Sequence, residues 1–299
     1  MKWFCGAGAA IMLICAGCAS QAASAEEYYT LGMAYYELGK FDDAERWLSK
    51  ASTVKKTMNA STYNLGRIAY ETGRYSEAAK QFERLVKADP ENIMAIKSAA
   101  YTEIMLGNFE KAESYYFKLL QLEPESASDG YNHALILYAL NKYNEAEAML
   151  RKFSYAMPEN KNTLLLLART QRALNKIEAL DTYALWLANN SDALVRHEYA
   201  LLLVEHDYLA RAIEAMRKVQ SELTSDLGTL KRNAVQFELA RLLLIADPEN
   251  PDGLQTMRNA INSGFNDVKA LNELINDPRI SKTSKTELLV LSASFDKQS

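Results

Sequence analysis

The sequence predicts an all-α fold in which helix pairs stack as a repeat array. The pair Leu31-Gly32 returns 34 residues later as Leu65-Gly66, and another glycine recurs at that spacing as Gly39, Gly73 and Gly107. A fixed period of this length is typical of arrays whose units stack on their neighbours. A small and a large apolar residue also lie four apart in each unit, which is the spacing of one helix face. These pairs are Ala44 and Leu48, Ala78 and Phe82, Ala112 and Tyr116, and Ala146 and Leu150.

Composition narrows the class of protein. The chain has 299 residues, of which 48% are hydrophobic and 24% charged, so it is neither disordered nor a membrane bundle. Its 34 basic and 38 acidic residues give a net charge of −4, which offers no positive surface to a nucleic-acid backbone. Cys5, Cys15 and Cys18 are the only cysteines in the sequence. Their position excludes a disulfide framework, an iron–sulfur cluster and a cysteine-rich zinc site.

The N-terminus is predicted to be a signal peptide over residues 1–17. Lys2 precedes an uncharged apolar run, residues 3–16, which is too short to cross a bilayer. The sequence Ala16-Gly17-Cys18 at its end resembles a bacterial lipobox, although Cys15 stands where that motif usually has leucine. The resemblance implies that acyl chains, palmitate among them, are attached to Cys18 and hold the protein on a membrane.

Residues 18–25 are then predicted to be a short tether. Ala19 follows the cysteine where inner-membrane lipoproteins carry aspartate, and the resemblance therefore implies the outer membrane, facing the periplasm. A second cleavage site stays open, because Ala23-Ser24-Ala25 matches a signal-peptidase site that would release a soluble periplasmic protein beginning at Glu26. An N-terminal core helix is disfavoured because the segment has no polar face.

Residues 26–158 are predicted to hold four regular helix pairs. The recurring glycines supply the left-handed conformation that ends the first helix of a pair, and Asn141 takes that place in the fourth unit. Proline cannot continue a helix, so it ends the second helix of a pair. These prolines are Pro90, Pro124 and Pro158.

The repeat pattern weakens after residue 158. Residues 159–265 are predicted to form degenerate pairs, with one residue missing near Ile177 and a period of 32 in the sixth unit. The segment Ala246–Asn250 repeats Ala88–Asn92 residue for residue, which indicates another helix end. Residues 266–299 are predicted to be a C-terminal helical cap, since a stacked array must cover its last apolar face.

These landmarks resemble the tetratricopeptide repeat (TPR) family. Its 34-residue helix-turn-helix unit carries Leu-Gly, Gly-x-aromatic, Ala and Pro at the positions described above. The resemblance implies a right-handed TPR solenoid of about six to seven helix-turn-helix repeats with a C-terminal helical cap. It also implies a bacterial TPR lipoprotein of the cell envelope.

The sequence carries no signature of catalysis. It contains no P-loop, dinucleotide-binding glycine motif, nucleophile elbow or zinc-protease motif. His197 and His206 are nine residues apart, on opposite sides of a helix, and are interpreted as solvent-exposed helix and turn residues rather than metal ligands. His133 occupies a position packed within a helix pair. We therefore expect a protein that is not an enzyme and that has no metal and no cofactor.

A line of residues on the first helix of each repeat is the predicted binding site. Positions 2, 5, 9 and 12 of that helix form one line, and the TPR resemblance implies that this line faces a concave groove. The predicted groove residues are Tyr29, Met33, Tyr36, Tyr63, Arg67, Tyr70, Lys97, Tyr101, Tyr131 and Tyr138. The same line passes through Met94, Ile104, Leu135, Leu165, Arg169 and Arg172.

Two interpretations of these tyrosines stay open. Tyrosine suits an interaction surface because it gives a large, rigid apolar contact and a hydroxyl group. Alternatively, these rings only pack between adjacent repeats, which is the interpretation given to Tyr35. The carboxylate clamp of some TPR proteins is absent, because Tyr29 and Met33 stand where it needs lysine and asparagine.

The function predicted is that of an exported, lipid-anchored scaffold or adaptor. Its ligand is expected to be a protein or peptide segment, extended or helical, and not a nucleic acid or a small molecule. Arg67 and Lys97 are expected to donate hydrogen bonds to that segment. The resemblance implies a role in envelope assembly or in recruiting a partner. The alternatives are a self-associating structural protein of the envelope and a soluble periplasmic TPR protein.

Overall fold

The structure, a computed structural model, describes residues 24–154 and 160–293. The predicted signal peptide, Cys18 and Pro158 lie outside the described residues. The chain divides into two compact units, Met1–Met157 and Pro158–Ser299. All regular elements in the described ranges are helices, as the sequence predicts.

The described residues of unit 1 form eight helices that pack in order along the chain. The odd-numbered helices begin the repeats and are called A helices here, and the even-numbered ones are B helices. Helix α1 covers residues 24–37, α2 Phe41–Ala51, α3 Lys55–Glu71, α4 Tyr75–Ala88, α5 Ile93–Met105, α6 Phe109–Leu122, α7 Ala127–Ala139 and α8 Tyr143–Ser154.

Left-handed residues connect each A helix to its B helix. Gly39, Gly73 and Gly107 have φ angles of 68°, 76° and 74°, and Asn141 has a φ angle of 58°. Each closes its A helix with a backbone hydrogen bond, such as that from the Gly39 amide to the Tyr36 carbonyl at 2.9 Å. The predicted turn residues therefore have the conformation expected of them.

The apolar pairs that the sequence singles out belong to the core of unit 1. Each small residue is 0% exposed, and its large partner is at most 2% exposed. Alanine at these positions lets the A and B helices approach closely, and the large side chain fills the space beside it. These residues are Ala44 and Leu48, Ala78 and Phe82, Ala112 and Tyr116, and Ala146 and Leu150.

Unit 2 also consists of eight helices within its described residues. Three helix pairs are followed by two shorter helices. They are α9 Lys161–Ala173, α10 Glu178–Asn189, α11 Ala193–Glu205, α12 Leu209–Glu222, α13 Arg232–Ala246, α14 Pro251–Asn262, α15 Val268–Asn276 and α16 Lys282–Ser292.

The first two helix pairs of unit 2 keep the turn geometry of unit 1 despite their weaker sequence pattern. Asn175 and Asp207 have φ angles of 54° and 62°, in the left-handed region. Ala179 follows Asn175 by four residues, whereas Ala146 follows Asn141 by five. The residue missing from the fifth unit therefore lies in its turn, where the sequence places it.

The two C-terminal helices complete the core of unit 2. Leu271 and Leu274 of α15 and Leu288 of α16 pack in one cluster with Phe237 and Met257 of the last helix pair. Leu271 and Leu288 are both 0% exposed. These helices thus cover apolar surface that α13 and α14 would otherwise expose to water.

The left-handed turns give a stability prediction. Asn175→Gly is expected to leave the stability of unit 2 within about 0.5 kcal/mol of wild type, because glycine adopts this conformation without a Cβ penalty. Asn175→Val is expected to lower it by about 1–2 kcal/mol, since a β-branched residue is strained there. Urea unfolding followed by circular dichroism measures both. Equal stability of the two variants would contradict the assigned role of this residue.

The N-terminal boundary differs from the predicted one. Helix α1 includes residues 24 and 25, which the sequence analysis places in the tether, and Ala25 is 1% exposed. In the described part of the chain, no helix combines the length and the apolar character needed to cross a membrane.

Candidate functional site

The predicted groove residues lie on the A helices of unit 1, in equivalent places on successive repeats. Tyr101 is 46% exposed, and the other nine predicted groove residues are half-buried. These side chains therefore contact both protein and solvent. This geometry is compatible with both interpretations of the tyrosines, and the contacts below separate their roles.

One group of tyrosines connects neighbouring A helices. The phenol oxygen of each accepts a hydrogen bond from a polar side chain on the next A helix. The bonds run from Asn64 Nδ2 to Tyr29 at 3.2 Å, from Ser98 Oγ to Tyr63 at 3.4 Å and from Asn132 Nδ2 to Tyr101 at 3.1 Å. Part of the tyrosine pattern is thus explained by packing between repeats.

A second group packs within its own repeat, beside the turn between A and B helices. In each case the ring contacts the aromatic residue that begins the B helix. The ring centroids are 5.8 Å apart for Tyr36 and Phe41, 5.4 Å for Tyr70 and Tyr75, and 5.3 Å for Tyr138 and Tyr143. Such tilted and edge-on contacts stabilise the turn while leaving part of each ring in water.

Among the A helices, the most exposed large apolar side chains lie on α5 and α7. On α5, Met94, Tyr101 and Met105 are 59%, 46% and 47% exposed, and on α7 Leu135 is 42% exposed. Met105 was not nominated from the sequence. Met105 lies 11 residues after Met94 and four after Tyr101, which places the three side chains on one side of α5. Met94 and Tyr101 belong to the predicted line, and Met105 extends it by one position beyond Ile104. We call the exposed side of α1, α3, α5 and α7 the A-helix face.

Arg67 is held by groups of the protein. Its Nη2 donates a hydrogen bond of 2.6 Å to the hydroxyl of Tyr36, and the guanidinium lies 4.7 Å from the centre of that ring. The Tyr36 hydroxyl in turn donates to Glu71. Burial, together with the bond to Glu71, raises the pKa of Tyr36 to about 12. This cluster connects α1 to α3.

Lys97 is also paired. Its ammonium lies 3.0 Å from Asp129 and 3.5 Å from Glu123. The Asp129 side chain is 3% exposed, so removing the lysine would leave a buried carboxylate without its counter-ion. The sequence analysis expects Lys97 to donate to a ligand. In the structure, its ammonium already pairs with these two carboxylates.

One hollow opens on the A-helix face between the second and third helix pairs. It has a volume of about 170 Å³ and is lined by Arg67, Tyr70, Glu71, Phe82, Ser98 and Tyr101. Three of the five predicted groove residues on α3 and α5, namely Arg67, Tyr70 and Tyr101, thus meet at one place.

In unit 2, the corresponding arginines form ion pairs. Arg169 makes a two-pronged contact with Glu198, at 2.7 and 2.9 Å, and Arg172 lies 2.6 Å from Glu205. The Tyr183 hydroxyl, from a side chain that is 0% exposed, also donates to Glu198 at 2.9 Å. These arginines therefore join α9 to α11.

The three histidines of the chain are buried to different extents. No group of three or more metal-ligating side chains occurs among the described residues. His133 is 5% exposed and lies in the core of the fourth helix pair, as predicted. His197 and His206 are both half-buried, which corrects the expectation of solvent-exposed residues. Burial lowers the pKa of His197 below its ordinary value of 6.5.

The burial of His133 predicts a pH effect on stability. Neither ring nitrogen has a hydrogen-bond partner. Burial lowers the pKa of this histidine below its ordinary value of 6.5, although the nearby carboxylates of Glu113 and Glu145 act to raise it. Its contribution to stability is therefore complete above pH 6.5 and is lost as the pH falls below that value, by at most about 1.4 kcal/mol per pH unit.

Melting temperatures at pH 7.5 and 5.5 test this effect. We expect the wild type to lose stability at pH 5.5 and His133→Leu to lose less, because leucine has no proton to bind. His197 has a shift of the same sign, so a residual loss in the variant is expected. An unchanged pH dependence in His133→Leu would show that this side chain is not buried in its neutral form.

Comparison with known families identifies the repeat. The model of the tetratricopeptide repeat family matches residues 29–93 and 63–129, which lie in the first four helix pairs. The repeat predicted from the sequence is supported over this part of the chain. Comparison with curated proteins found no match.

Solved structures show the same fold. A tetratricopeptide repeat protein from Parabacteroides merdae is 21% identical, with a TM-score of 0.56, over 90% of this chain and 99% of its own. YrrB, described as a TPR protein with an unusual peptide-binding site, is 18% identical with a TM-score of 0.54, over 65% of this chain and 98% of its own. MamA from Desulfovibrio magneticus is 16% identical with a TM-score of 0.51, over 56% of this chain and 98% of its own. The all-α TPR solenoid fold is thereby confirmed.

Proposed function

We propose that this protein is an exported, lipid-anchored TPR scaffold whose A-helix face binds a protein or peptide segment. The observation that carries this proposal is the row of exposed apolar side chains on α5 and α7. Met94, Tyr101, Met105 and Leu135 are each more than 40% exposed and belong to consecutive A helices. Large apolar residues grouped on a surface in this way are typical of interaction sites.

A polypeptide suits this surface better than a small molecule. The exposed residues extend across two repeats, whereas small ligands are usually enclosed in a concave pocket. Rings held in place by neighbouring helices lose little conformational freedom when a ligand binds. YrrB, which has the same fold, is described as having a peptide-binding site, and this supports the proposed class of ligand.

The anchor is proposed at Cys18, which places the protein at the outer membrane facing the periplasm. The choice between the two cleavage sites gains support from α1. Cleavage after Ala25 would remove residues 24 and 25 from this helix, including the buried Ala25, whereas cleavage before Cys18 keeps both. The lipobox is therefore the site more compatible with the fold.

Cys18→Ala tests the anchor. The variant is expected to lose its acyl chains and either enter the soluble periplasmic fraction or stay uncleaved in the inner membrane, because the acceptor thiol is gone. Mass spectrometry of the N-terminal peptide and membrane fractionation measure the two effects. A wild-type protein that carries no lipid and begins at Glu26 would contradict the proposal.

Selection from a random peptide library tests the binding function. The purified full-length protein is immobilised through its C-terminus, and peptides displayed on phage are selected on it and then synthesised. We expect binders with micromolar affinity, about −8 kcal/mol, that compete with one another for the A-helix face. Failure to select any peptide whose binding depends on this face would overturn the proposed function. Light scattering at several protein concentrations tests the alternative function, because a self-associating protein increases in molar mass with concentration whereas a monomeric scaffold does not.

A further inference from the structure

The hollow between the second and third helix pairs exists because two side chains differ from their equivalents in the other repeats. The residue 34 positions before Tyr101 is Arg67, whose guanidinium covers the ring of Tyr36. Tyr101 does not cover Tyr70 in the same way. Its ring stands at 88° to that of Tyr116, and its hydroxyl is bonded to Asn132 on α7. The space above Tyr70 is left open.

Ser98 enlarges this space. The equivalent positions on α3 and α7 carry Asn64 and Asn132, whose longer side chains bridge to a neighbouring tyrosine. Ser98 is shorter, and its hydroxyl is engaged with the Met94 carbonyl at 2.9 Å and with the Tyr63 hydroxyl at 3.4 Å. The residues at positions 98 and 101 therefore account for the opening between these two repeats.

The lining of the hollow is aromatic and carries no net charge. Tyr70, Phe82 and Tyr101 each contribute to it, while Arg67 and Glu71 lie 3.8 Å apart with side chains 39% and 38% exposed. Their opposite charges compensate each other. A charged group entering the hollow would lose its hydration without gaining an unpaired counter-ion. The site thus favours a neutral apolar group.

The size and shape of the hollow indicate which apolar group it accepts. The volume of about 170 Å³ is close to that of a 150 Å³ apolar cavity that accommodates benzene. A flat ring can meet the three lining rings in the edge-on and offset arrangements that aromatic groups prefer, which an aliphatic side chain cannot do.

We infer that this hollow is a specificity pocket for the benzyl side chain of a phenylalanine in the bound polypeptide. The inference rests on the proposed function and adds to it the identity of one ligand residue. The pocket holds that ring between Tyr70 and Tyr101, and the neighbouring Met94, Met105 and Leu135 contact the rest of the segment.

The peptide selection described above also tests this inference. Peptides selected on the full-length protein are expected to share a phenylalanine. Replacing that phenylalanine by alanine is expected to weaken binding by about tenfold or more, and replacement by glutamate by more than that. Leucine is expected to weaken binding less than alanine does.

A pair of substitutions at Ser98 locates the ring. Ser98→Leu fills the hollow and is expected to weaken binding of the phenylalanine peptide by about tenfold or more. Ser98→Ala removes the hydroxyl but keeps the space, and is expected to bind within about twofold of wild type. Ser128→Leu, on the same face of α7 and outside the lining, controls for added apolar bulk. Melting curves of all three variants check that the repeats stay folded.

The outcomes separate the two proposals. Binders that share a phenylalanine and are weakened by Ser98→Leu alone support the pocket. Binders to the A-helix face that share no phenylalanine, or that Ser98→Leu leaves unaffected, overturn the pocket while the proposed function stands. The absence of any peptide that binds this face overturns both.

Discussion

Replacing Phe82 by alanine is expected to lower the free energy of unfolding by about 3–5 kcal/mol, the largest loss expected from a single change in unit 1. Phe82 is 2% exposed and packs with Ala69, Ala78 and Leu85 between the second and third helix pairs. A Cβ on Gly66 would lie 2.8 Å from its ring, so the two helices touch here without spare room. Removing the ring leaves a cavity that this close contact cannot refill.

Phe117→Ala is the matched control. This ring is 58% exposed on α6, so the same substitution removes little buried surface and is expected to change stability by at most about 0.5 kcal/mol. Urea unfolding followed by far-ultraviolet circular dichroism measures both variants. Losses of similar size at the two sites would show that Phe82 is not a core residue of the repeat array.

Tyr101→Ala is expected to weaken peptide binding by about 2 kcal/mol, or roughly 30-fold, with little loss of stability. Its ring is 46% exposed and belongs to both the A-helix face and the hollow. Tyr116, which touches it edge-on, is 1% exposed. Tyr116→Ala is therefore expected to cost about 3 kcal/mol or more of folding stability, as for other large buried rings.

The two tyrosine variants distinguish a binding surface from a packing surface. Binding is measured by isothermal titration calorimetry with a selected peptide, and stability by thermal melting of the same samples. If Tyr101→Ala lowers the melting temperature as much as Tyr116→Ala and leaves affinity unchanged, the exposed tyrosines serve packing alone. Tyr101→Phe keeps the ring and removes the hydroxyl, so its affinity and melting temperature show how much the hydroxyl contributes to binding and to stability.

The fold could be predicted from the sequence because its landmarks are local. A left-handed turn residue, a close-packed alanine and a helix-ending proline each act within a few residues of their own position, so a 34-residue spacing reveals them directly. Asn175 and Asp207 were harder to recognise, since neither is a glycine, yet their φ angles of 54° and 62° continue the series. Helix α1 began earlier than expected because Ala25 gains burial that composition alone does not show.

The binding face was predicted less well because it depends on which side chains pair with one another. The spacing of Tyr36 and Tyr70 says nothing about the aromatic neighbours that take up part of each ring. Arg67 and Lys97 are matched with partners on other elements, Lys97 with Glu123 and Asp129, which are 26 and 32 residues away in the sequence. The hollow depends on three helices at once and has no signature in any single repeat.

The left-handed turns between A and B helices determine where residues can be inserted into the chain. A Cβ placed on Gly39, Gly73 or Gly107 would meet no atom within 4 Å, so these turns project away from packed surface. Added residues at such points cost mainly loop-closure entropy, which grows only slowly with length. The turns between A and B helices are therefore the places where a fluorescent reporter, an affinity tag or a new loop can be inserted while the stacked helices keep their register.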